Sequence, residues 1–180
     1  MKKFAILLLL ISPILFSDSK AQSSHFDLGI EFQVYPTGIL PGLKAALGLG
    51  AHSALHLRVG ANIFDHRDLG VQDMEEGSGF GFTLGYQYYF VEDHRKWFLG
   101  IRNDFWWNTV DWETDGVTGT TEIFVVQPTA IGGYAFSFAD GKVIFEPALG
   151  FGYEVNVKTE GENTGEGAIG LAGFSLGYRF

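Results

Sequence analysis

The chain ends in a segment that constrains nearly everything before it. Residues 168–180 read AIGLAGFSLGYRF. Successive side chains of a strand point to opposite sides. Phe174, Leu176, Tyr178 and Phe180 therefore share one face, and Gly173, Ser175, Gly177 and Arg179 share the other. A barrel dissolved in water would turn its bulky apolar groups inward. Glycines and an arginine facing inward instead suit a strand whose large side chains meet lipid.

The same alternation recurs along the chain. Phe26 to Tyr35 sets Phe26, Leu28, Ile30, Phe32 and Val34 against Asp27, Glu31 and Gln33. Pro36 to Pro41 is expected to break that strand. A second strand is expected over Leu43–Ala51 and a third over Leu55–Phe64. Asp65 to Ser78 reads as a long polar loop. A fourth strand covers Phe80–Phe90, and a fifth runs from Trp97 to about Asp111. The fifth has Asn103 as an exception on its apolar face. A sixth runs over about Glu122–Phe138 and a seventh over about Val143–Lys158. Asp140-Gly141 is a two-residue hairpin signal needing positive φ at both positions, and it pairs Phe138 with Val143 and Phe136 with Phe145. Pro128 and Pro147 each remove a ladder hydrogen bond, so bulges are expected there.

Lys2 and Lys3 precede an apolar run from Phe4 to Phe16, and Ser19-Lys20-Ala21 has small residues where a signal peptidase cuts. Residues 1–21 are read as a cleaved signal peptide and 22–180 as one barrel domain. Removing three lysines and one aspartate shifts the net charge from −9 to −11, which argues against a nucleic-acid partner. The chain has no cysteine, which excludes disulfides and argues against a lipid-anchored lipoprotein. No apolar run after residue 21 is long enough for a membrane helix. Strands that cross lipid must close on themselves, since open edges leave backbone groups unpaired. The fold class expected is all-β: a closed antiparallel eight-stranded transmembrane up-and-down β-barrel. Its short turns would face the periplasm, and longer loops after strands three, five and seven would face outward. Phe26, Phe90, Trp97, Phe138, Tyr178 and Phe180 would form the periplasmic aromatic belt.

Eight strands leave an interior that side chains fill. The alternation points Asp27, Glu31, Asp104, Glu146 and Glu154 inward, with Lys44, Arg58, Arg102, Lys158 and Arg179. Buried charges need partners, so the lumen reads as an ionic plug. The pattern resembles the small eight-stranded outer-membrane barrels of the OmpA/OmpX type. The ending Tyr178-Arg179-Phe180 is similar to the carboxy-terminal signal read by the barrel insertion machinery. The resemblance implies a bacterial outer-membrane location, contact with outer-membrane lipid and lipopolysaccharide, and a monomer. It also implies a structural, adhesive or host-interacting role.

Chemistry-bearing residues are sparse. Asp111, Glu113, Asp115, Gly116 and Glu122 occupy positions 1, 3, 5, 6 and 12 of a calcium-loop pattern. Asp111, Glu113, Asp115 and Glu122 are thus candidate calcium ligands, with an acidic hairpin loop as the plainer reading. Adjacent His52 and Ser53 would point to opposite faces. His56 is expected in the lumen beside Arg58, and His66 and His94 in solvated turns. Trp106, Trp107 and Trp112 read as exposed rim anchors. No nucleophile, base and orienting group assemble. The function expected is a non-enzymatic barrel acting through acidic loops at Asp65–Ser78, Asp111–Glu122 and Glu160–Gly167. A lipid-modifying enzyme and a narrow solute channel are the alternatives. No other cofactor is expected.

Overall fold

The computed structural model describes residues 25–65 and 71–180. The signal-peptide reading of 1–21 and His66 lie outside the described residues. Eight antiparallel strands close into one barrel. They are β1 (Phe26–Tyr35), β2 (Gly38–Gly48), β3 (Ser53–Phe64), β4 (Met74–Val91), β5 (Arg95–Thr114), β6 (Val117–Phe138), β7 (Val143–Glu160) and β8 (Gly167–Arg179). Each strand pairs with its sequence neighbours, and β8 returns to β1 with Leu28 opposite Tyr178 and Phe32 opposite Phe174. Both ends of the barrel chain and the turns after β2, β4 and β6 lie at one end, here the lower. The turns after β1, β3, β5 and β7 lie at the upper end.

The outward face is apolar over a defined height. On β5 it runs from Trp97 through Leu99, Ile101 and Phe105 to Trp107. That is about 34 Å along the strand and, at a tilt of about 40°, about 26 Å across the membrane, against an apolar band of about 25 Å in such barrels. Phe80, Trp107 and Phe124 stand side by side at its upper limit, with ring centroids 5.6 and 4.9 Å apart. Beyond them the same face turns polar, with Glu76 on β4, Thr109, Asp111 and Glu113 on β5, and Thr118, Thr120 and Glu122 on β6. The lower belt is built as the sequence implies. Trp97 packs on Tyr134 at 5.2 Å and Tyr178 on Phe180 at 5.0 Å.

The hairpin at Asp140-Gly141 keeps the expected register, but its connection has four residues, 139–142, and Ala139 also has a positive φ of 52°. Asp140 and Gly141 have φ of 54° and 88°, Lys142 N–H donates to Ala139 C=O at 3.1 Å, and Phe136 pairs with Phe145 and Phe138 with Val143.

The prolines correct the sequence reading. Pro41 does not end a turn; it lies within β2 opposite Phe32, and the turn is Pro36-Thr37 alone. Neither Pro128 nor Pro147 carries a bulge. Pairing of β6 with β7 steps from Val126↔Val155 to Thr129↔Gly152, and from Gly133↔Ala148 to Phe136↔Phe145, with the register kept. In an antiparallel ladder a residue directs both backbone groups at one neighbour. Each proline therefore empties a rung on one side only. Pro128 still pairs with Asn103 and Pro147 with Phe174. The register shifts fall elsewhere, between Tyr89 and Val91 on β4 and between Phe124 and Val125 on β6.

The loops are corrected too. The connection after β5 is not a loop but a two-residue turn, Asp115-Gly116, with φ of 52° and 76°. The connection after β3 is shorter than Asp65–Ser78, because β4 already begins at Met74. The strands of one flank, β4 to β7, have 18 to 22 residues, against 10 to 13 in the others. The upper rim is therefore a wall on one side only.

The inversion of polarity can be measured directly. Leu84→Arg, mid-height on the lipid face of β4, is expected to destabilise the barrel by about 2–4 kcal/mol in denaturant unfolding from lipid vesicles. Glu113→Arg, above the upper girdle, should change stability by less than about 1 kcal/mol.

Candidate functional site in the lumen

The inward positions build a continuous ionic network. It starts at mid-barrel on Glu31 (β1). Arg58 (β3) donates from Nη1 to Glu31 Oε1 at 3.1 Å and from Nη2 to Asp104 Oδ1 at 2.7 Å. Arg102 (β5) reaches Glu31 Oε1 at 3.3 Å and sets its Nε 3.0 Å from Asp104 Oδ2. Thr83 also donates to Asp104, and Gln33 donates to Glu31 at 2.9 Å. Lys44 (β2) lies 3.8 Å from Glu31 and donates to Glu146 (β7) at 2.7 Å. Glu146 also accepts from Tyr89 Oη at 2.6 Å and Ser175 Oγ at 2.9 Å.

Three acids thus meet three bases, all buried. Their inward room comes partly from glycines. A methyl group on Gly42 would stand 3.0 Å from Arg58 Cγ, and one on Gly85 would stand 2.9 Å from Arg102 Cβ.

Apolar packing seals the network above. Arg58 lies under the Trp106 ring, 5.2 Å from its centroid. Trp106 joins Leu40, Phe64, Val110, Ile123, Val125, Ile169 and Leu171 in a buried cluster. Trp106 is therefore not a rim anchor: it is fully buried. Trp106 and Trp107 are adjacent, so one had to face in, and Trp106 continues the inward series of Arg102 and Asp104. Trp107 is exposed at the girdle, and half-buried Trp112 donates to Thr121 Oγ1 at 3.2 Å.

Glu75 closes the top. The sequence places it in a polar loop, but it is the second residue of β4 and buried. Its carboxylate accepts from the backbone N–H of Val71 at 2.8 Å, Gln72 at 3.2 Å and Gly165 at 3.1 Å. It thereby ties the β3–β4 connection to the β7–β8 connection.

Of the ten charges expected inside, Lys158 is the exception. It is 69% exposed beside Glu160. The shift at Phe124/Val125 leaves Val157 without a rung and sets Lys158 opposite outward Phe124. That reverses the alternation for the end of β7. Asp27 and Arg179 do meet, through two hydrogen bonds of 2.8 Å at the lower mouth. Glu154 is buried as expected.

The candidate calcium ligands are not brought together. Asp111 and Glu113 lie on the outward face of β5, Asp115 in the turn, and Glu122 on β6 opposite Thr109. Asp111 accepts from Thr120 Oγ1 at 2.6 Å. The twelve-residue loop that the pattern requires is instead the tip of a paired ribbon. Among the described residues, no three or more His, Asp or Glu side chains are placed to hold a metal ion.

The histidines divide. His56 is in the lumen as expected, and its ring nitrogens have no hydrogen-bond partner among the described residues. His52 Nδ1 lies 2.8 Å from Tyr89 C=O, while Ser53 Oγ pairs with Tyr86 Oη at 2.7 Å. His94 is not solvated. It is 2% exposed, its Nε2 lies 2.8 Å from Ser53 C=O, and its ring stands edge-on to His25 at 4.3 Å.

Burial, and then Arg179, hold the His25 pKa down at about 4, against a partial opposing pull from Asp27. Burial also lowers that of His94, against the hydrogen bond to Ser53. Below the network a bowl of about 920 Å³ opens among His25, Asp93, His94, Phe138 and Arg179. Between bowl and network a void of about 20 Å³ touches Asp27, Lys44 and Glu146, room for roughly one water.

Two expectations follow. Glu31→Gln removes the acid shared by Lys44, Arg58 and Arg102. It should cost about 3–5 kcal/mol in unfolding free energy, as for a buried pair that loses one partner. The unfolded chain binds more protons than the folded one wherever a folded histidine pKa is depressed. The stability owed to neutral His25 is thus complete above about pH 6.5 and lost as pH falls toward 4, and neutral His94 adds to it in the same direction. Unfolding midpoints measured across that window should fall, and less steeply in His25→Asn.

No family model and no curated protein matches the chain. Solved structures do. The N-terminal β-barrel domain of Pseudomonas aeruginosa OprF superposes with a TM-score of 0.55 at 14% identity, over 88% of this chain and 99% of that one. Neisserial surface protein A gives 0.51 at 10% identity, over 87% and 96%. Ail, the attachment invasion locus protein of Yersinia pestis, solved with the heparin analogue sucrose octasulfate, gives 0.51 at 10%, over 87% and 97%. At such identities the likeness is one of architecture, and the chain has the fold of the small eight-stranded outer-membrane β-barrels.

Proposed function

We propose that the chain is a non-enzymatic barrel of the bacterial outer membrane, closed to solutes, which works through its upper rim. The observation that carries this reading is the plug. Between the lower bowl and the apolar cluster, three acids and three bases occupy the lumen, and the void beside them is of one-water size. Such compensation holds the interior shut, since parting any pair leaves a charge unsolvated.

The arrangement of His52 and Ser53 supports a role without catalysis. Each bonds to a different tyrosine, so neither activates the other. The outward ends of Tyr178 and Phe180 suit recognition by insertion machinery, and the apolar band suits contact with outer-membrane lipid and lipopolysaccharide. The lower end then lies in the periplasm and the wall of β4 to β7 stands outside.

That wall presents Glu76, Asp111, Glu113, Asp115, Glu122 and Glu160, with Lys158 among them. Its charge suits a cationic partner better than a sulfated one of the kind bound to Ail. Planar-bilayer recording of the refolded chain is expected to show no conductance steps at neutral pH. Reproducible steps would establish the channel reading in place of the plug.

A further inference from the structure

The lipid-facing surface carries one anomaly. Among the described residues, Asn103 is the only amide or charged side chain on the outward face between the two aromatic girdles. It sits on β5 between Ile101 and Phe105, within the span marked by Trp97 and Trp107. Its lateral neighbours are Leu84 on β4 and Pro128 on β6, and neither side chain can hydrogen-bond. Asn103 itself makes no side-chain hydrogen bond to any described residue. Hydrocarbon offers an amide nothing in return, and a polar group transferred there without a partner is strongly disfavoured. Beside it, outward Pro128 and Ala130 form a low floor. Ridges flank that floor, Ile101 at 65% exposed on one side and Leu149 and Phe151 at 69% and 67% on the other.

We propose that this flank is an interface between two copies of the chain in the membrane, joined by reciprocal hydrogen bonds between their Asn103 amides. A carboxamide carries both donors and an acceptor, so it is complementary to itself. A two-fold axis along the membrane normal brings the same residue of each copy to the same depth and makes the contact isologous. A lipid chain cannot supply either group, and an unrelated protein would need a matching amide at the same depth. This interface departs from the monomer expected from the sequence. The proposal is independent of the plugged-lumen reading, since it concerns only the outer face.

The chain has no cysteine, so single cysteines report proximity without background. The full chain is refolded into phosphatidylcholine vesicles at low protein density and oxidised. Ile101→Cys, which keeps Asn103, should cross-link several-fold faster than Leu57→Cys, which faces lipid on β3. Adding Asn103→Leu should return the Ile101→Cys rate to that of Leu57→Cys. Energy transfer between labelled copies should show association about tenfold weaker in Asn103→Leu, the scale of hydrogen bonds between membrane segments. An apolar residue at a lipid-facing position keeps the barrel folded, which circular dichroism verifies. Equal cross-linking at 101 and 57 would overturn the interface. Faster cross-linking at 101 that survives Asn103→Leu would overturn the role of the amide.

Discussion

The barrel depends on charge compensation in a tightly packed interior. Eight strands enclose an interior that side chains fill, and the alternation of each strand decides which side chains those are. Once Arg58, Arg102 and Lys44 point inward, they require anions at fixed distances, because an unpaired ion there forfeits its hydration. Glu31, Asp104 and Glu146 supply them from β1, β5 and β7. The backbone ladder joins each strand only to its neighbours. The network joins β1 to β3 and β5, and β2 to β7, across the lumen. It fixes the cross-section of the barrel in a way that rung-by-rung pairing does not.

Much of this was legible in the chain itself. The strand at 168–180 established which face meets lipid, and Asp140-Gly141 established a register that agrees with the alternation on both flanking strands. Both signals are local and periodic. Nine of the ten inward charges followed from parity alone. The tenth, Lys158, fails because parity is only as good as the continuity of the strand. The shift between Phe124 and Val125 has no proline or glycine at its site to announce it. The prolines, which signal irregularity in a sequence, do not produce one, because a missing donor empties a rung without moving the chain.

What escaped the sequence lies mostly at the upper end. Asp115-Gly116 carries the same turn signal as Asp140-Gly141, but its acidic surroundings invited a cation-loop reading. Strand pairing instead continues to the tip, with Glu113 opposite Thr118. In the sequence Glu75 is one more acid in a polar stretch. Its role appears only when the β7–β8 connection folds back to bring Gly165 N–H against it, a contact between residues 90 positions apart. Trp106 was within reach, since continuing the inward series of Arg102 and Asp104 arrives at it.

The unequal strand lengths give the molecule a front and a back. On the side of β8, β1 and β2, whose strands have 10 to 13 residues, the barrel ends close above its apolar band. On the side of β4 to β7 the paired ribbons stand well above it. Anything arriving from the medium meets a screen from one azimuth and an open approach from the other. A barrel whose closed ring has no preferred direction in the plane of the membrane thereby acquires one.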